Sequence, residues 1–271
     1  MNSGSSVAFS LRDIRKVYFS RSGTAVEAIA GISFEARQNE VIAIVGPSGC
    51  GKSTLLRILG GLDSDYDGTV NWPEKAAEQD EKRLRSAAVF QSDSTLPWLS
   101  VERNLAVGMS GLKLTLAEQD ARIEKYLTLV GLADFRKAYP HELSGGMRQR
   151  VAMARALATE PMLLLMDEPL AALDAQTRLV MQQELLRIWR ETRLSVVYIT
   201  HDIAEALSLA HRVVVMTARP GRIKHIIETP FEGLRDLKAL RRHPQFGVLE
   251  MEIWQMVADE VGQSLGTREG P

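Results

Sequence analysis

The sequence predicts an α/β fold with a mainly parallel sheet, and three observations lead to this class. The apolar runs at 41–45 and 162–166 are short and continuous, which is typical of strands buried on both faces. From residue 162 onward, such runs alternate with segments of helical periodicity. Strands that alternate with helices form parallel sheets, because each helix returns the chain to the end at which the previous strand began.

The predicted elements follow in a definite order along the chain. Strands are expected at 7–11, 25–34, 41–45, 87–90, 162–166, 195–200 and 212–216. Helices are expected at 171–190 and 204–210, and a mainly helical block at 92–158 interrupts the sheet domain as an insertion. The charged stretch 74–85 predicts a solvated helix or loop. The tail beyond Pro220 predicts a helix that packs through an apolar stripe of Leu249, Ile253, Trp254 and Val257.

Composition narrows the class of protein. The chain has 271 residues, 45% of them hydrophobic, and a formal net charge of −1, so no global basic field favours nucleic acid. Its apolar runs are too short to span a bilayer, and its first residues do not resemble a secretory signal. One cysteine excludes an intramolecular disulfide framework. These observations predict a soluble cytoplasmic protein, in which any action at a membrane requires another subunit to supply the spans.

A glycine-rich loop follows the apolar run at 41–45 and precedes an apolar helical face. It fits the phosphate-binding P-loop pattern with the residues Gly46, Pro47, Ser48, Gly49, Cys50, Gly51, Lys52, Ser53 and Thr54. The glycines permit a tight ring of backbone amides around a phosphate. Lys52 brings a positive charge to the β- and γ-phosphates of a nucleotide, and the Ser53 hydroxyl is placed to bind Mg²⁺.

Cys50 lies inside this loop and admits two interpretations. If its thiol is accessible, alkylation should inhibit nucleotide binding and MgATP should protect the thiol. If it faces inward, Cys50 is only a small residue that fills space beneath the loop.

Several apolar runs end in a polar residue that can perform chemistry. The run at 41–45 leads to Lys52, and the later runs end at Gln91, at Asp167 with Glu168, and at His201. In an open parallel sheet, ligands bind outside the carboxyl ends of the strands. We therefore expect these five residues to gather at one edge of the sheet.

The residues at the strand ends suggest a division of roles. Asp167 would hold Mg²⁺, directly or through water, and Glu168 would polarise the attacking water as a general base. Gln91 would bind Mg²⁺ and sense the γ-phosphate, although a glutamine after a strand is usually a loop residue. His201 would hydrogen-bond the γ-phosphate; alternatively, it is a surface or capping histidine beside Asp202.

Two further candidates have equally simple structural interpretations. Asp174 lies just past the strand that ends at Asp167, and its composition also suits a helix N-cap. Tyr18 would stack on adenine or is an ordinary strand aromatic, and Phe19 is the fallback for the stacking role.

Residues 143–150 read Leu-Ser-Gly-Gly-Met-Arg-Gln-Arg and precede a helical pattern at 147–158. Ser144 is a natural N-cap, and Gly145 and Gly146 let a ligand come close to the backbone. A helix N-terminus with bare amides attracts anions, although taken alone the segment is an ordinary capped helix start.

Taken together, these motifs resemble the ATP-binding subunits of ABC transporters over residues 7–225. The matching features are the Walker A loop at 46–54, Gln91, the signature at 143–149, the Walker B strand at 163–168, the D-loop at 172–174 and His201. The resemblance implies a RecA-like P-loop NTPase core with an N-terminal antiparallel β-subdomain and the inserted helical subdomain at 92–158. Beyond the matching region, residues 226–271 are expected to form a C-terminal helical tail. The resemblance also implies ATP and Mg²⁺ as cofactors and a head-to-tail pair of subunits. Each ATP would lie between one Walker A loop and the Ser144-Gly145-Gly146 segment of the other subunit, with Tyr18 on the adenine.

A finer resemblance is to importers of nitrate, sulfonate and taurine, through residues 96–101 and 218–223. It implies permease subunits as partners, a solute-binding protein acting indirectly, and a peripheral position on the cytoplasmic face of the inner membrane. Alternatives are an importer ATPase for another small solute, a non-transport ABC ATPase, which would need a long coiled coil or a second cassette, and a P-loop kinase. A kinase would not explain the Leu-Ser-Gly-Gly segment.

Overall fold

The computed structural model describes residues 6–20, 23–73, 85–90, 95–231 and 236–266. Its chain forms two compact units, one made of Met1–Pro73 with Ser195–Pro271 and the other of Glu74–Leu194. Gln91 and all but the last residue of the charged stretch at 74–85 lie outside the described residues.

The described elements include strands and helices in the following order. The strands are β1 (Val7–Phe19), β2 (Ala25–Arg37), β3 (Val41–Val45), β4 (Asp67–Asn71), β5 (Ser86–Val89), β6 (Leu163–Asp167), β7 (Ser195–Ile199), β8 (Arg212–Met216) and β9 (Ile223–Glu228). The α-helices are α1 (Lys52–Leu59), α2 (Val101–Gly108), α3 (Leu116–Leu129), α4 (Gly145–Leu157), α5 (Ala175–Thr192), α6 (Ile203–Leu209), α7 (Leu237–Arg241) and α8 (Pro244–Gly266). Two short 3₁₀ helices lie at Ala133–Phe135 and Pro140–Glu142.

The N-terminal part of the first unit is an antiparallel sheet in the order β2-β1-β4. Phe9, Leu11 and Ile14 on β1 and Ile32 on β2 are almost fully buried and form its core. The predicted antiparallel β-subdomain is thus confirmed. Strand β1 is longer than the predicted 7–11, because β2 pairs with it as far as Phe19 through several register shifts.

The first unit also contains the parallel strands, in the order β7-β3-β8 with β9 antiparallel at the edge. Every residue of β3 is buried, as its continuous apolar run predicts. The connection from β8 to β9 is too short to hold a crossover helix, so the chain turns back and β9 pairs antiparallel.

The second unit pairs β5 with β6 in parallel, and helix α4 packs on β5. Helices α2 and α3 pack against α4, and Val101, Leu105 and Val151 are fully buried among them. The helix predicted at 171–190 begins only at Ala175. It starts late because the Asp174 side chain accepts hydrogen bonds from the first-turn amides and fixes the N-cap there.

Helix α8 lies in the tail and packs on α6 and β8, whereas residues 226–228 of the expected helical tail belong to β9. Ile253 is fully buried, whereas Trp254 is 55% exposed, so the predicted stripe is wrong at Trp254. Neighbouring residues of a helix point about 100° apart, and the side of α8 that packs includes Ile253 and not the next residue. None of the helices in the described ranges is long and apolar enough to cross a membrane.

A buried ion pair joins the two sheets of the first unit. The Arg212 guanidinium donates to both carboxylate oxygens of Glu40, with Nε–Oε1 at 2.6 Å, and also to the Glu35 carbonyl. Glu40 is 6% exposed and accepts a further hydrogen bond from the Arg37 amide at 2.7 Å. Two charges buried with this many partners are stable together, but either one alone would be costly to bury.

We predict that Arg212→Met lowers the free energy of unfolding by about 3 kcal/mol, because Glu40 would keep its buried charge without its cation. Urea denaturation followed by circular dichroism measures the change. The matched control is Arg37→Met, which breaks an exposed pair with Glu228 and should cost less than about 1 kcal/mol. Equal losses in the two variants would contradict the prediction.

Candidate nucleotide-binding site

The loop between β3 and α1 has a backbone that only glycine can supply at one position. Gly51, the N-cap of α1, has a φ of 98°, in the left-handed region. A Cβ added there would lie 2.9 Å from the Ala28 carbonyl oxygen on β2. The loop therefore turns sharply against the antiparallel sheet. This turn directs the start of α1 toward the space that the loop surrounds.

The start of α1 differs from those of four other helices in having no side-chain cap. Its N-cap is a glycine, so no side chain accepts a hydrogen bond from its first-turn amides, and its first turn has no acidic residue. Helices α3, α4, α5 and α6 are instead capped by Thr115, Ser144, Asp174 and Asp202. Uncapped amides and the positive end of the helix dipole favour an anion. The geometry at 46–54 is that of a phosphate cradle.

Lys52 lies inside this loop. Its ammonium donates to the carbonyl oxygens of Gly46 at 2.8 Å and Pro47 at 2.9 Å, and the residue is only 9% exposed. The backbone of the loop thus fixes the cation beside the uncapped amides. A phosphate placed on those amides would meet a positive charge that is already oriented.

Cys50 faces inward. Its side chain is fully buried, with Sγ 3.7 Å from the Lys52 ammonium and close to Gly46. Burial raises the pKa of the thiol, although the nearby lysine acts in the opposite direction. The structure therefore favours the space-filling interpretation over that of a readily alkylated thiol, and any contribution of Cys50 to a ligand would come from its backbone.

Tyr18 lies near the P-loop helix, as an adenine platform should. Its hydroxyl is 3.3 Å from Asp63 Oδ2 and 3.5 Å from the Thr54 hydroxyl of α1, and 40% of the residue is exposed. Phe19 is 75% exposed and, as the next residue on the strand, points to the opposite face. Tyr18 is thus the better placed of the two aromatic candidates.

A second loop, which the sequence analysis did not include in the site, braces the P-loop. The Arg219 guanidinium donates to the Gly49 carbonyl at 3.2 Å. A Cβ on Gly221 would lie 2.0 Å from the Cys50 carbonyl oxygen, so only glycine fits there. The amide of Ala218 donates to Glu260 of α8 at 2.9 Å. The Arg-Pro-Gly stretch at 219–221, part of the resemblance to importers, is the sequence signal for this loop.

His201 lies two residues beyond the end of β7 in the first unit and is exposed. The next residue, Asp202, caps α6 through a hydrogen bond from the Glu205 amide, so the capping role belongs to Asp202 and not to the histidine. This leaves the imidazole at the carboxyl end of a strand neighbouring β3.

In the second unit, Asp167 is the last residue of β6 and Glu168 follows it. Glu168 has a φ of 46°, a left-handed conformation that is uncommon for a residue with a side chain. Such strain persists only where the surrounding structure imposes it, and it concentrates at functional positions. Both carboxylates are partly buried at a strand end, as the sequence predicts.

The segment at 143–150 begins helix α4. The Ser144 hydroxyl accepts a hydrogen bond from the Met147 amide at 3.3 Å, and Gly145 is exposed. A Cβ on Gly146 would lie 3.1 Å from the Thr177 side chain of α5, so the starts of the two helices approach closely. Ser144 is confirmed as an N-cap, and the backbone beside it is open to solvent.

Asp174 caps α5, as its composition suggested. Its carboxylate accepts hydrogen bonds from the Gln176 and Thr177 amides and from the Thr177 hydroxyl. The hydrogen bond from the Thr177 side chain is the main cause that lowers the pKa of Asp174. A direct contact of Asp174 with nucleotide remains a prediction, as does the gathering of Lys52, His201, Asp167 and Glu168 at one edge.

The fold and the cradle define a P-loop nucleotide-hydrolysing protein, and comparison with known proteins specifies the family. The family profile described as ABC transporter matches residues 29–171. A taurine import ATP-binding protein of Roseobacter denitrificans is 40% identical over 92% of this chain and 93% of its own length. An aliphatic sulfonates import ATP-binding protein of Bacillus cereus is 41% identical over 81% and 85%, respectively.

Among solved structures, the ATP-binding cassette MJ0796 in a dimeric, post-hydrolysis state bound to ADP and Pi has a TM-score of 0.67. It is 28% identical and covers 82% of this chain and 98% of its own. The chain therefore belongs to the ABC transporter family, with the RecA-like P-loop NTPase fold of its ATP-binding cassettes, and it is an ATP-hydrolysing subunit.

Proposed function

We propose that this chain hydrolyses ATP in an import complex that takes up a small anionic solute such as taurine, another sulfonate or nitrate. The relatives named for taurine and aliphatic sulfonate import, each about 40% identical over most of the chain, support the solute class. The uncapped start of α1 is the observation that carries the ATPase assignment, because it provides a phosphate cradle with a lysine already inside it.

The P-loop binds the nucleotide in this proposal. The β-phosphate rests on the amides from Gly46 to Thr54, Lys52 neutralises the β- and γ-phosphates, and Tyr18 stacks on adenine. The Ser53 hydroxyl is exposed in the first turn of α1, where it can face a phosphate-bound metal.

Hydrolysis needs a base and a way to neutralise charge. Glu168 accepts a proton from the attacking water, and His201 hydrogen-bonds the γ-phosphate. Ser53, Gln91 and Asp167 would hold Mg²⁺ and offer it only oxygen ligands, the kind that this ion prefers. When bound, Mg²⁺ supplies positive charge to the phosphate oxygens.

A second copy of the chain completes the site. The exposed backbone at Ser144-Gly145-Gly146 binds the ATP held by the partner, and Asp174 contributes from the start of α5. The dimeric state of the MJ0796 cassette, which was solved with ADP and Pi, supports a dimer, and the head-to-tail orientation is part of this proposal.

The remaining partners follow from import. Permease subunits provide the membrane spans, and an extracytoplasmic solute-binding protein acts through them without touching this chain. The subunit itself lies on the cytoplasmic face of the inner membrane as a peripheral protein.

We predict that Glu168→Gln lowers steady-state ATP hydrolysis by at least about a hundredfold and preserves ATP binding, because the base is lost and the phosphate cradle stays intact. Phosphate release and equilibrium nucleotide binding measure the two effects. The control, Glu191→Gln, neutralises an exposed carboxylate on α5 and should hydrolyse normally. Undiminished turnover in the Glu168 variant would reject the role of Glu168 as base.

We expect Ser144→Arg to spare ATP binding to the monomer but to prevent ATP-driven dimerisation and turnover, because a bulky side chain would occupy the partner's phosphate position. Light scattering of the Glu168→Gln protein, with and without the second substitution, measures dimer formation. Ser144→Thr keeps a capping hydroxyl and is the control. A Ser144→Arg protein that still dimerises would reduce the segment to a helix cap.

The solute class is tested in proteoliposomes that contain this chain with its permease and its solute-binding protein. Taurine, an alkanesulfonate or nitrate should raise ATP hydrolysis several-fold, because the loaded binding protein stimulates the transporter. Maltose and choline are the uncharged and cationic controls. Stimulation by a control alone would overturn the anionic solute class and leave the ATPase assignment standing.

A further inference from the structure

Lys16 on β1 is a buried lysine next to the proposed adenine platform. The residue is 4% exposed, which is rare for lysine unless a charge partner accompanies it. Its ammonium lies 2.9 Å from Asp63 Oδ1 and 3.1 Å from Asp65 Oδ2, and it also donates to the Asp65 carbonyl. All three acceptors belong to the loop that follows α1.

The same ammonium lies over the ring of Tyr18, 4.9 Å from the ring centroid. Residues two apart on a strand share a face, so β1 places Lys16 and Tyr18 side by side. A cation at this distance is attracted to the ring face. Lys16 therefore covers one face of the tyrosine, and a planar ligand has only the other face on which to stack.

Tyr18 is held at its other end as well. Its hydroxyl is 3.3 Å from the second carboxylate oxygen of Asp63, so Asp63 contacts both Lys16 and Tyr18. The Asp63 amide in turn donates to the Arg57 carbonyl of α1. The ring is thereby fixed relative to the helix that begins at the P-loop.

The pKa values of Asp63 and Lys16 are consistent with an ion pair between them. Burial alone would raise the pKa of Asp63 and lower that of Lys16. Burial is the largest single effect on each group, but the hydrogen bonds and the charge attraction between Lys16 and the two aspartates together outweigh it, so the pKa of Asp63 falls, that of Lys16 rises, and both groups stay ionised.

We infer that Lys16, braced by Asp63, is a positioning residue for the base of the nucleotide. It holds the Tyr18 ring in the orientation that adenine requires, so no ordering of the ring is needed when ATP binds. This inference rests on the proposed stacking of adenine on Tyr18. The alternative is a purely structural role, in which Lys16 only fastens the loop after α1 to the sheet. Its loss would then destabilise the fold or weaken the binding of all phosphate ligands alike.

The experiment compares the affinities of the full chain for MgATP and for magnesium tripolyphosphate, which has no base, by titration calorimetry. The proteins are wild type, Lys16→Met, Tyr18→Leu and the double variant. We expect each single variant to bind MgATP about tenfold more weakly, with tripolyphosphate affinity unchanged and no further loss in the double variant. Lys16→Arg should restore much of the loss, because it keeps the charge.

The chain offers a matched control in Lys125, whose ammonium lies 4.7 Å from the Tyr126 ring centroid and 2.9 Å from Glu160 on the second unit. Lys125→Met removes the same type of cation–ring contact and should leave the ratio of the two affinities unchanged. If Lys16→Met does not fold, Asp63→Asn provides the same measurement with the side-chain shape retained. A lower ratio of MgATP affinity to tripolyphosphate affinity in that variant supports the inference, and an unchanged ratio overturns it.

The outcomes of these comparisons that would overturn the inference differ in which part of the proposal they reject. If Tyr18→Leu binds MgATP normally, the proposed stack itself fails. If Tyr18→Leu weakens MgATP binding but Lys16→Met does not, the stack stands and the positioning role fails. If Lys16→Met weakens both ligands equally, or adds its full effect to that of Tyr18→Leu, the lysine only fastens the loop.

Discussion

The nucleotide site depends on one missing interaction, the side-chain cap at the start of α1. Helices α3, α4, α5 and α6 satisfy their first-turn amides with a side chain, whereas α1 has Gly51 at this position. The amides and the positive end of the helix are therefore left for a ligand. The packing of Gly51 against the Ala28 carbonyl fixes the direction in which these amides point.

Much of the first unit supports this loop from behind and from the sides. Strand β3 is fully buried and provides a rigid base, and Cys50 fills the space beneath the backbone. Far along the chain, Arg219 donates a hydrogen bond to the Gly49 carbonyl, and Gly221 packs closely against the Cys50 carbonyl. Loops that bind ligands are effective when a rigid scaffold positions them. Here the scaffold includes the hydrogen bond from the Ala218 amide to Glu260 on α8.

Local geometry also differs among the carboxylates and hydroxyls at the ends of the loops. Asp174 and Asp202 both end a loop, and each carboxylate is occupied by the helix that it caps. Glu168 instead has a strained backbone after a buried strand, which a capping role does not require. The Ser144 hydroxyl caps α4, and the adjoining Gly145 is exposed.

The sequence by itself determined the parallel strands, the P-loop and the strand-end residues, because period, glycine spacing and motif order are local properties. It misplaced the start of α5 and the exposure of Trp254, which depend on a cap and on the side of α8 that packs. Only the tertiary structure decided that Cys50 faces inward, that Arg219 reaches Gly49, and that Lys16 lies between Asp63 and the Tyr18 ring. The contacts of Arg219 with Gly49 and of Lys16 with Asp63 join residues far apart in the chain, and pairing at that distance is set by how the elements pack and not by any local pattern.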